Sequence, residues 1–287
     1  MPSFPLLNNV TMITRKRVRS SERGRESLSI VMVNGIRLYY ETYGEGYPII
    51  AISGKDSNMD WWHPAIKAAL SANNRLVMLD NRGAGRSEVP TDSYGISDMA
   101  KDVVELMDAL GIGQAHILGQ SMGGMIAQEI AIEYPQRVAK LILVSTTCGV
   151  TRVRPSFKML RWMFRKPAAF SSQDTLNMLY SKSYIRENAD KMAELVERMS
   201  SFPPSEGTMA AHKAASRKFD SLARLSRIVS PTLIIHGRQD WVFRPPHAEL
   251  LNRHIADSKL LMYANAGHGV LSQEHHKVME EIRRFIG

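Results

Sequence analysis

Short apolar runs separated by amphipathic stretches set the rhythm of this chain. Ser29-Ile-Val-Met-Val33 and Arg37-Leu-Tyr-Tyr-Glu41 flank Asn34-Gly35 and predict a hairpin, because Asn-Gly readily takes the left-handed backbone of a two-residue turn. Near-continuous apolar segments follow at 48–53, 75–80, 115–119, 138–145, 232–237 and 259–264, each the length of a strand buried on both faces. Between them the period changes to that of a helix. Ile96 to Leu110 puts Met99, Val103, Val104, Met107 and Leu110 on one face, with only a weak cap at Ser97, and Met122 to Tyr134 does the same with Met125, Ile126, Ile130 and Ala131. Strand–helix alternation predicts an α/β fold, a mostly parallel central sheet with helices on both faces. From about 147 to 228 the strand pattern stops. Helical segments at 156–165, 171–182, 189–201 and 207–219 are broken by Pro155, Pro167 and Pro203-Pro204. The predicted organisation is a core of residues 29–146 and 229–287, with an all-helical insertion over 147–228.

Bulk properties narrow this picture. At 287 residues the chain is near the size limit of one hydrophobic core, roughly 250–300 residues. Its one cysteine, Cys148, excludes an intrachain disulfide and fits a thiol-reducing, cytoplasmic setting; it follows a strand and reads as a small buried hydrophobe. No apolar run approaches the roughly 18 residues of a membrane span. The net charge of +9 is uneven. Residues 1–28 hold six basic and two acidic side chains, residues 147–228 hold fifteen and seven, and the remainder is slightly acidic. The first 28 residues, with Thr14-Arg-Lys-Arg-Val-Arg19 and Arg23-Gly-Arg25, lack any periodicity and are expected to be a disordered basic leader. No nucleic-acid recognition motif accompanies the charge, so neither nucleic acid nor membrane is an expected partner. Gly83-Ala-Gly85 and Gly111-Ile-Gly113 lack the third glycine of a dinucleotide fingerprint, and no P-loop or metal-ligand cluster is present. No cofactor and no metal are therefore expected. His275-His276 cannot both face one site from a helix and is expected to be solvated.

The chemistry concentrates at Gly119-Gln120-Ser121-Met122-Gly123. An apolar run, Ala115-His116-Ile117-Leu118, ends there and a helical pattern begins. A G-x-S-x-G pattern between strand and helix is the context of a nucleophile elbow. A serine hydroxyl needs a base, which in turn needs an orienting group. Asp240, after the strand ending at Gly237, and His268, after the strand ending near Tyr263, both fall just past the carboxyl ends of strands, the edge where Ser121 emerges. His236 lies within a strand, and His116, His212, His247 and His254 lie on strand or helix patterns. His63 has no strand-end position.

Together these motifs resemble the α/β-hydrolase family, from about Ile30 to Phe285. Asp80-Asn81-Arg82-Gly83-Ala84-Gly85-Arg86-Ser87 is similar to its D-x-R-G-x-G-x-S loop, His236-Gly237-Arg238-Gln239-Asp240 to its H-G-x-x-D, and Gly267-His268 to its G-H. The resemblance implies a catalytic triad of Ser121, Asp240 and His268, a helical cap at 147–228, and an oxyanion hole from the amides of Lys55 and Met122. Many members carry His-Gly where this chain has Ser53-Gly54; a hole built from backbone amides tolerates that change. Gly54, Trp162, Phe164, Met178 and Tyr180 are the candidate substrate-contacting residues. A serine nucleophile excludes the dehalogenase and epoxide-hydrolase relatives, which need a carboxylate there. The implied activity is that of a serine esterase, carboxylesterase-like, on a small-molecule ester or lactone, as a monomer or homodimer. Enol-lactone hydrolysis, C–C bond hydrolysis and perhydrolysis share Ser-Met-Gly-Gly and remain open, as does a non-catalytic receptor.

Overall fold

Each apolar run must satisfy its backbone polar groups by pairing with a neighbour. In the computed structural model, which describes residues 29–163 and 171–287, the runs become β1 (Ser29–Val33), β2 (Ile36–Tyr43), β3 (Tyr47–Ile52), β4 (Asn74–Leu79), β5 (Ala115–Gln120), β6 (Val138–Val144), β7 (Thr232–Gly237) and β8 (Ser258–Tyr263). They form one sheet in the order β1-β2-β4-β3-β5-β6-β7-β8. β2 runs antiparallel to both of its neighbours, and β3 to β8 are parallel. The turn between β1 and β2 takes the anticipated left-handed backbone at Asn34 (φ 44) and Gly35 (φ 80).

The helices are α1 (Pro64–Ser71), α2 (Ile96–Ala109), α3 (Met122–Glu133), α4 (Phe157–Met163), α5 (Ser172–Leu179), α6 (Lys182–Glu187), α7 (Ala189–Ser201), α8 (Glu206–Lys218), α9 (Pro246–His254), α10 (Val270–Gln273) and α11 (His275–Ile286). The strand period of two divides the interior. Ile117, Leu141 and Leu143 point into a core shared with Met99, Val103 and Met107 of α2, Ile126 and Ile130 of α3, and Leu251 of α9. Leu118, Ile142 and Val144 point the other way, to Ile66 and Leu70 of α1 and Val278 and Ile282 of α11. Cys148 is fully buried, and burial pushes its thiol pKa up to about 11. No helix among the described residues is long and apolar enough to cross a membrane.

Helices α4 to α8 occupy the interval between β6 and β7. An isolated bridge between Gly149 and Asp220 joins the two ends of this insertion. It holds its own small core of Leu176, Tyr180, Met192, Leu195 and Met199. Three local expectations change. The single helix anticipated at 171–182 is two, because Tyr180 is extended and Ser181 caps a new helix by accepting the Tyr184 N–H. α2 is capped not at Ser97 but from Gly95, whose N–H donates to Asp98 at 2.8 Å. His275 is not simply solvated: it is half-buried and stacks on His63 at 5.6 Å, while its neighbour His276 is exposed.

Two buried histidines set a pH limit on this fold. His116 of β5 and His247 of α9 have pKa values lowered from 6.5 to about 4, chiefly by burial. The unfolded chain therefore takes up protons first as pH falls from 6.5 towards 4, so stability is complete above that window and lost within it. The thermal midpoint is expected to fall steadily once pH drops below 6.5, and more shallowly in His247→Gln; a flat profile across the window would contradict the burial argument.

Candidate active site

The strand-to-helix turn after β5 leaves no room for a conventional backbone. Ser121 sits there with φ 56 and ψ −118, a region rarely taken by residues with a side chain. Its N–H donates to the Val144 carbonyl at 2.9 Å, and its carbonyl accepts from Gly124 N–H at 2.9 Å and from Thr146 Oγ1 at 2.6 Å. Neighbouring backbone crosses so closely that a Cβ on Gly119 would overlap the Gly123 carbonyl, and one on Gly123 the Ile52 carbonyl. The half-buried Ser121 thus projects from the sheet edge with the first turn of α3, the positive end of the helix dipole, beneath it.

His268 lies in the loop between β8 and α10, and Asp240 in the loop after β7. Both are buried. His268 Nδ1 is 2.8 Å from Asp240 Oδ2, and His268 Nε2 is 3.0 Å from Ser121 Oγ. A carboxylate only accepts, so Nδ1 carries the proton and Nε2 presents its lone pair to the hydroxyl. Asp240 Oδ1 accepts from Val242 N–H at 2.8 Å and Phe243 N–H at 3.0 Å, fixing the carboxylate plane. The Phe243 ring meets the His268 ring edge-on at 5.5 Å. His236 stands 3.5 Å from Asp240 Oδ2, but burial depresses its pKa and its Nε2–H donates to the Phe243 carbonyl at 2.7 Å. It braces the loop as a neutral group.

The segment after β3 runs along the serine. A Cβ on Gly54 would lie 3.2 Å from the Ser121 Cβ, so this backbone passes directly beside the serine, and Met122 follows it in the chain as the first residue of α3. Two side chains pin this segment: Asn81 Nδ2 donates to the Ser53 carbonyl at 3.0 Å and Ser57 Oγ to that of Gly54, also at 3.0 Å. Lys55 turns its ammonium to the Asp56 carboxylate. The Asp80–Ser87 loop acts as scaffold. Asp80 accepts the Met59 and Arg86 N–H groups, each at 2.9 Å, and Ser87 Oγ accepts the Tyr39 N–H at 2.9 Å. Arg82 forms a buried pair with Asp102.

A profile of the alpha/beta hydrolase fold family matches residues 47–274. The chain belongs to that family. A putative carbamate hydrolase, RutD, of Variovorax paradoxus is 30% identical over 242 residues, covering 80% of this chain and 89% of that protein. The solved structure of Est816, described as an N-acyl homoserine lactone degrading enzyme, superposes with TM-score 0.79 at 28% identity, covering 90% of this chain and all of that one. A thermophilic esterase of Thermogutta terrifontis gives 0.75 at 26% identity, covering 92% and 98%. At this level the chain is a hydrolase of the α/β fold.

Among α/β-hydrolase features, the substrate-contacting candidates scatter. Met178 and Tyr180, at the end of α5, line a cavity of about 350 Å³ with Lys158, Trp241, Gln239 and Gly267. Tyr180 is also packing: its ring covers Gly269, and the Gly269 N–H donates to the Leu179 carbonyl at 2.7 Å. Trp162 lies on α4, whereas Phe164 and the basic stretch 1–28 fall outside the described residues. Asn81 and His212, neither of them a site candidate from the sequence, touch the Ser53–Asp56 segment. For Asn81 a signal existed, since it follows the motif aspartate; for His212 none did.

The crossing at Ser121 yields a stability prediction. Gly119→Ala forces backbone against backbone and is expected to cost about 3 kcal/mol or more, read as a lowered urea midpoint with unchanged m-value. A midpoint equal to wild type would show that the turn has slack.

Proposed function

We propose that this chain is a serine hydrolase that cleaves carboxylic esters, open-chain or lactone, through an acyl-enzyme on Ser121. One observation carries the reading: the unbroken relay of Ser121 Oγ, His268 and Asp240 at 3.0 and 2.8 Å. In the first half-reaction His268 Nε2 takes the hydroxyl proton as Oγ attacks the ester carbonyl. Asp240 stabilises the imidazolium that results. The Lys55 and Met122 amides receive the developing oxyanion, each worth about 3 kcal/mol in the transition state. His268 then protonates the leaving alcohol as the tetrahedral species collapses. Water, activated by the same imidazole, attacks the acyl-serine and releases the acid. Every proton and charge is handled by side chains and amides of the protein, so the reading calls for no cofactor.

Residues 147–228 act in this reading as a cap, with Tyr180 packed on Gly269 beside His268. A likeness to an esterase and a lactone-degrading enzyme supports the ester class. A second reading, carbamate hydrolysis, has its own support in the relatives named putative carbamate hydrolase. The same attack and the same hole serve both substrates, which differ in the leaving group and in pocket chemistry.

Ser121→Ala is expected to lower kcat/KM for a p-nitrophenyl ester by about 10⁴-fold or more, and Asp240→Asn by about 10⁴-fold. Turnover unchanged in Ser121→Ala ends the triad assignment. A panel of short esters, long esters, lactones and N-substituted carbamates ranks the two readings: kcat/KM highest on an ester or lactone supports the first, and highest on a carbamate replaces it with the second.

A further inference from the structure

Outside the relay, the most unusual arrangement near the serine involves His212, a fully buried histidine on α8 of the insertion. Its Nδ1 accepts the Asp56 N–H at 3.1 Å, and its Nε2 lies 3.0 Å from the Arg82 carbonyl. A carbonyl oxygen can only accept, so the proton is on Nε2 and the ring is neutral, with its Nδ1 lone pair committed to the Asp56 amide. The Asp56 carboxylate does not substitute for that bond: Oδ1 is buried without a hydrogen-bond partner and stands 3.4 Å from Nδ1. Thr208, one turn earlier on α8, donates to the Gly83 carbonyl at 2.7 Å, and the Tyr94 ring closes on the imidazole edge-on at 6.1 Å. The ring is therefore held from both ends of the helix turn.

Asp56 needs such a partner. It has a φ of 61, a left-handed backbone that a non-glycine residue keeps only when its surroundings impose it. The residue before it, Lys55, supplies one proposed oxyanion donor. The Ser53 and Gly54 carbonyls are fixed by Asn81 and Ser57, both from the body of the fold. On the far side of Lys55 the restraint comes from the insertion.

We propose that His212 is a positioning residue: by accepting the Asp56 amide it fixes the backbone turn that aims the Lys55 N–H at the developing oxyanion. This rests on the triad reading given above. It makes docking of α8 a condition for a complete oxyanion hole, although His212 itself touches no reacting atom.

Two near-isosteric variants separate the two ring nitrogens. In His212→Gln the side-chain amide reaches the Arg82 carbonyl as Nε2–H does, but nothing accepts the Asp56 amide. In His212→Asn the carbonyl oxygen falls near Nδ1 and restores that acceptor. With the ester substrate, His212→Gln is expected to lose about 10- to 100-fold in kcat with KM changed less than about threefold, the scale of a small misplacement of a catalytic group. Affinity for a trifluoromethyl ketone, whose hemiketal oxyanion occupies the hole, should fall in parallel. His212→Asn should return both to within about threefold of wild type. Equal losses in the two variants, a loss confined to KM, or wild-type kcat in His212→Gln would each overturn the proposal. If the Gln variant does not fold, the Asn variant decides: fluoroketone affinity beyond about threefold from wild type overturns it, and affinity within that range supports it. Ser121→Ala measured alongside distinguishes the failures. Activity retained there ends the triad reading, whereas activity lost there with normal His212→Gln ends only this inference.

Discussion

The left-handed backbone of Ser121 is the constraint on which the remaining geometry depends. A non-glycine residue in that region carries a cost on the order of 1–3 kcal/mol, kept only where the surroundings over-determine it. Here they do. The Ser121 N–H is held by β6, its carbonyl by Gly124 and Thr146, and the chain on either side is wedged between β3 and α3 at Gly119 and Gly123. No relaxation of one neighbour frees the residue, because three elements meet there. The outcome is a hydroxyl that points away from the sheet over the first turn of α3, an orientation that a regular strand or helix residue does not offer.

Parallel topology then brings the other groups to the hydroxyl. In a parallel sheet every strand ends at the same edge, and loops from neighbouring strands meet there irrespective of their separation in sequence. Ser121 and His268 are 147 residues apart along the chain and 3.0 Å apart in space. β5, β6, β7 and β8 are consecutive in the sheet, so the serine after β5, the threonine after β6, the aspartate after β7 and the histidine after β8 form a row. The Ser53–Lys55 segment arrives from β3 on the opposite side. The core behind this row is divided by the strand period into two well-buried halves, and that rigidity keeps a relay of two hydrogen bonds aligned.

Most of this was legible because it is local. Apolar runs marked the strands to within a residue or two, and Gly-x-Ser-x-Gly marked the elbow because each glycine is demanded by a specific backbone crossing. The break at Tyr180 was not legible: 171–182 carries one helical period, and the contacts that go with the extended backbone, Tyr180 on Gly269 and on Tyr184, are tertiary or lie beyond the break. The cap of α2 was misplaced for a related reason, since a glycine amide donating to Asp98 leaves no side-chain cap signature. His212 looked like one helix-face histidine among several. Its partner is a backbone N–H from 156 residues away, and no residue-type pattern encodes a contact with a main-chain amide.

The inserted helices meet the body through directional hydrogen bonds as well as apolar packing. Leu176, Leu195, Met192 and Met199 form a separate core with Trp61 of the body packed against it, and Ala215 and Phe219 join the core of the body; beside these apolar contacts stand polar joints that involve main chain: Gly269 N–H to the Leu179 carbonyl, Asp56 N–H to His212, Thr208 to the Gly83 carbonyl, Arg198 to the Asp60 carbonyl and Asn58 to the Phe202 carbonyl. Apolar contact is non-directional and tolerates sliding, but a hydrogen bond to a backbone atom fixes distance and angle. Each such bond contributes only about 0.5–1.5 kcal/mol, so these bonds set the register of the insertion on the body more than they add to its attachment. The registered points fall on the loops carrying His268, the Asp80–Ser87 scaffold and the segment at Lys55. An insertion joined in this way sets the geometry of the site at its base.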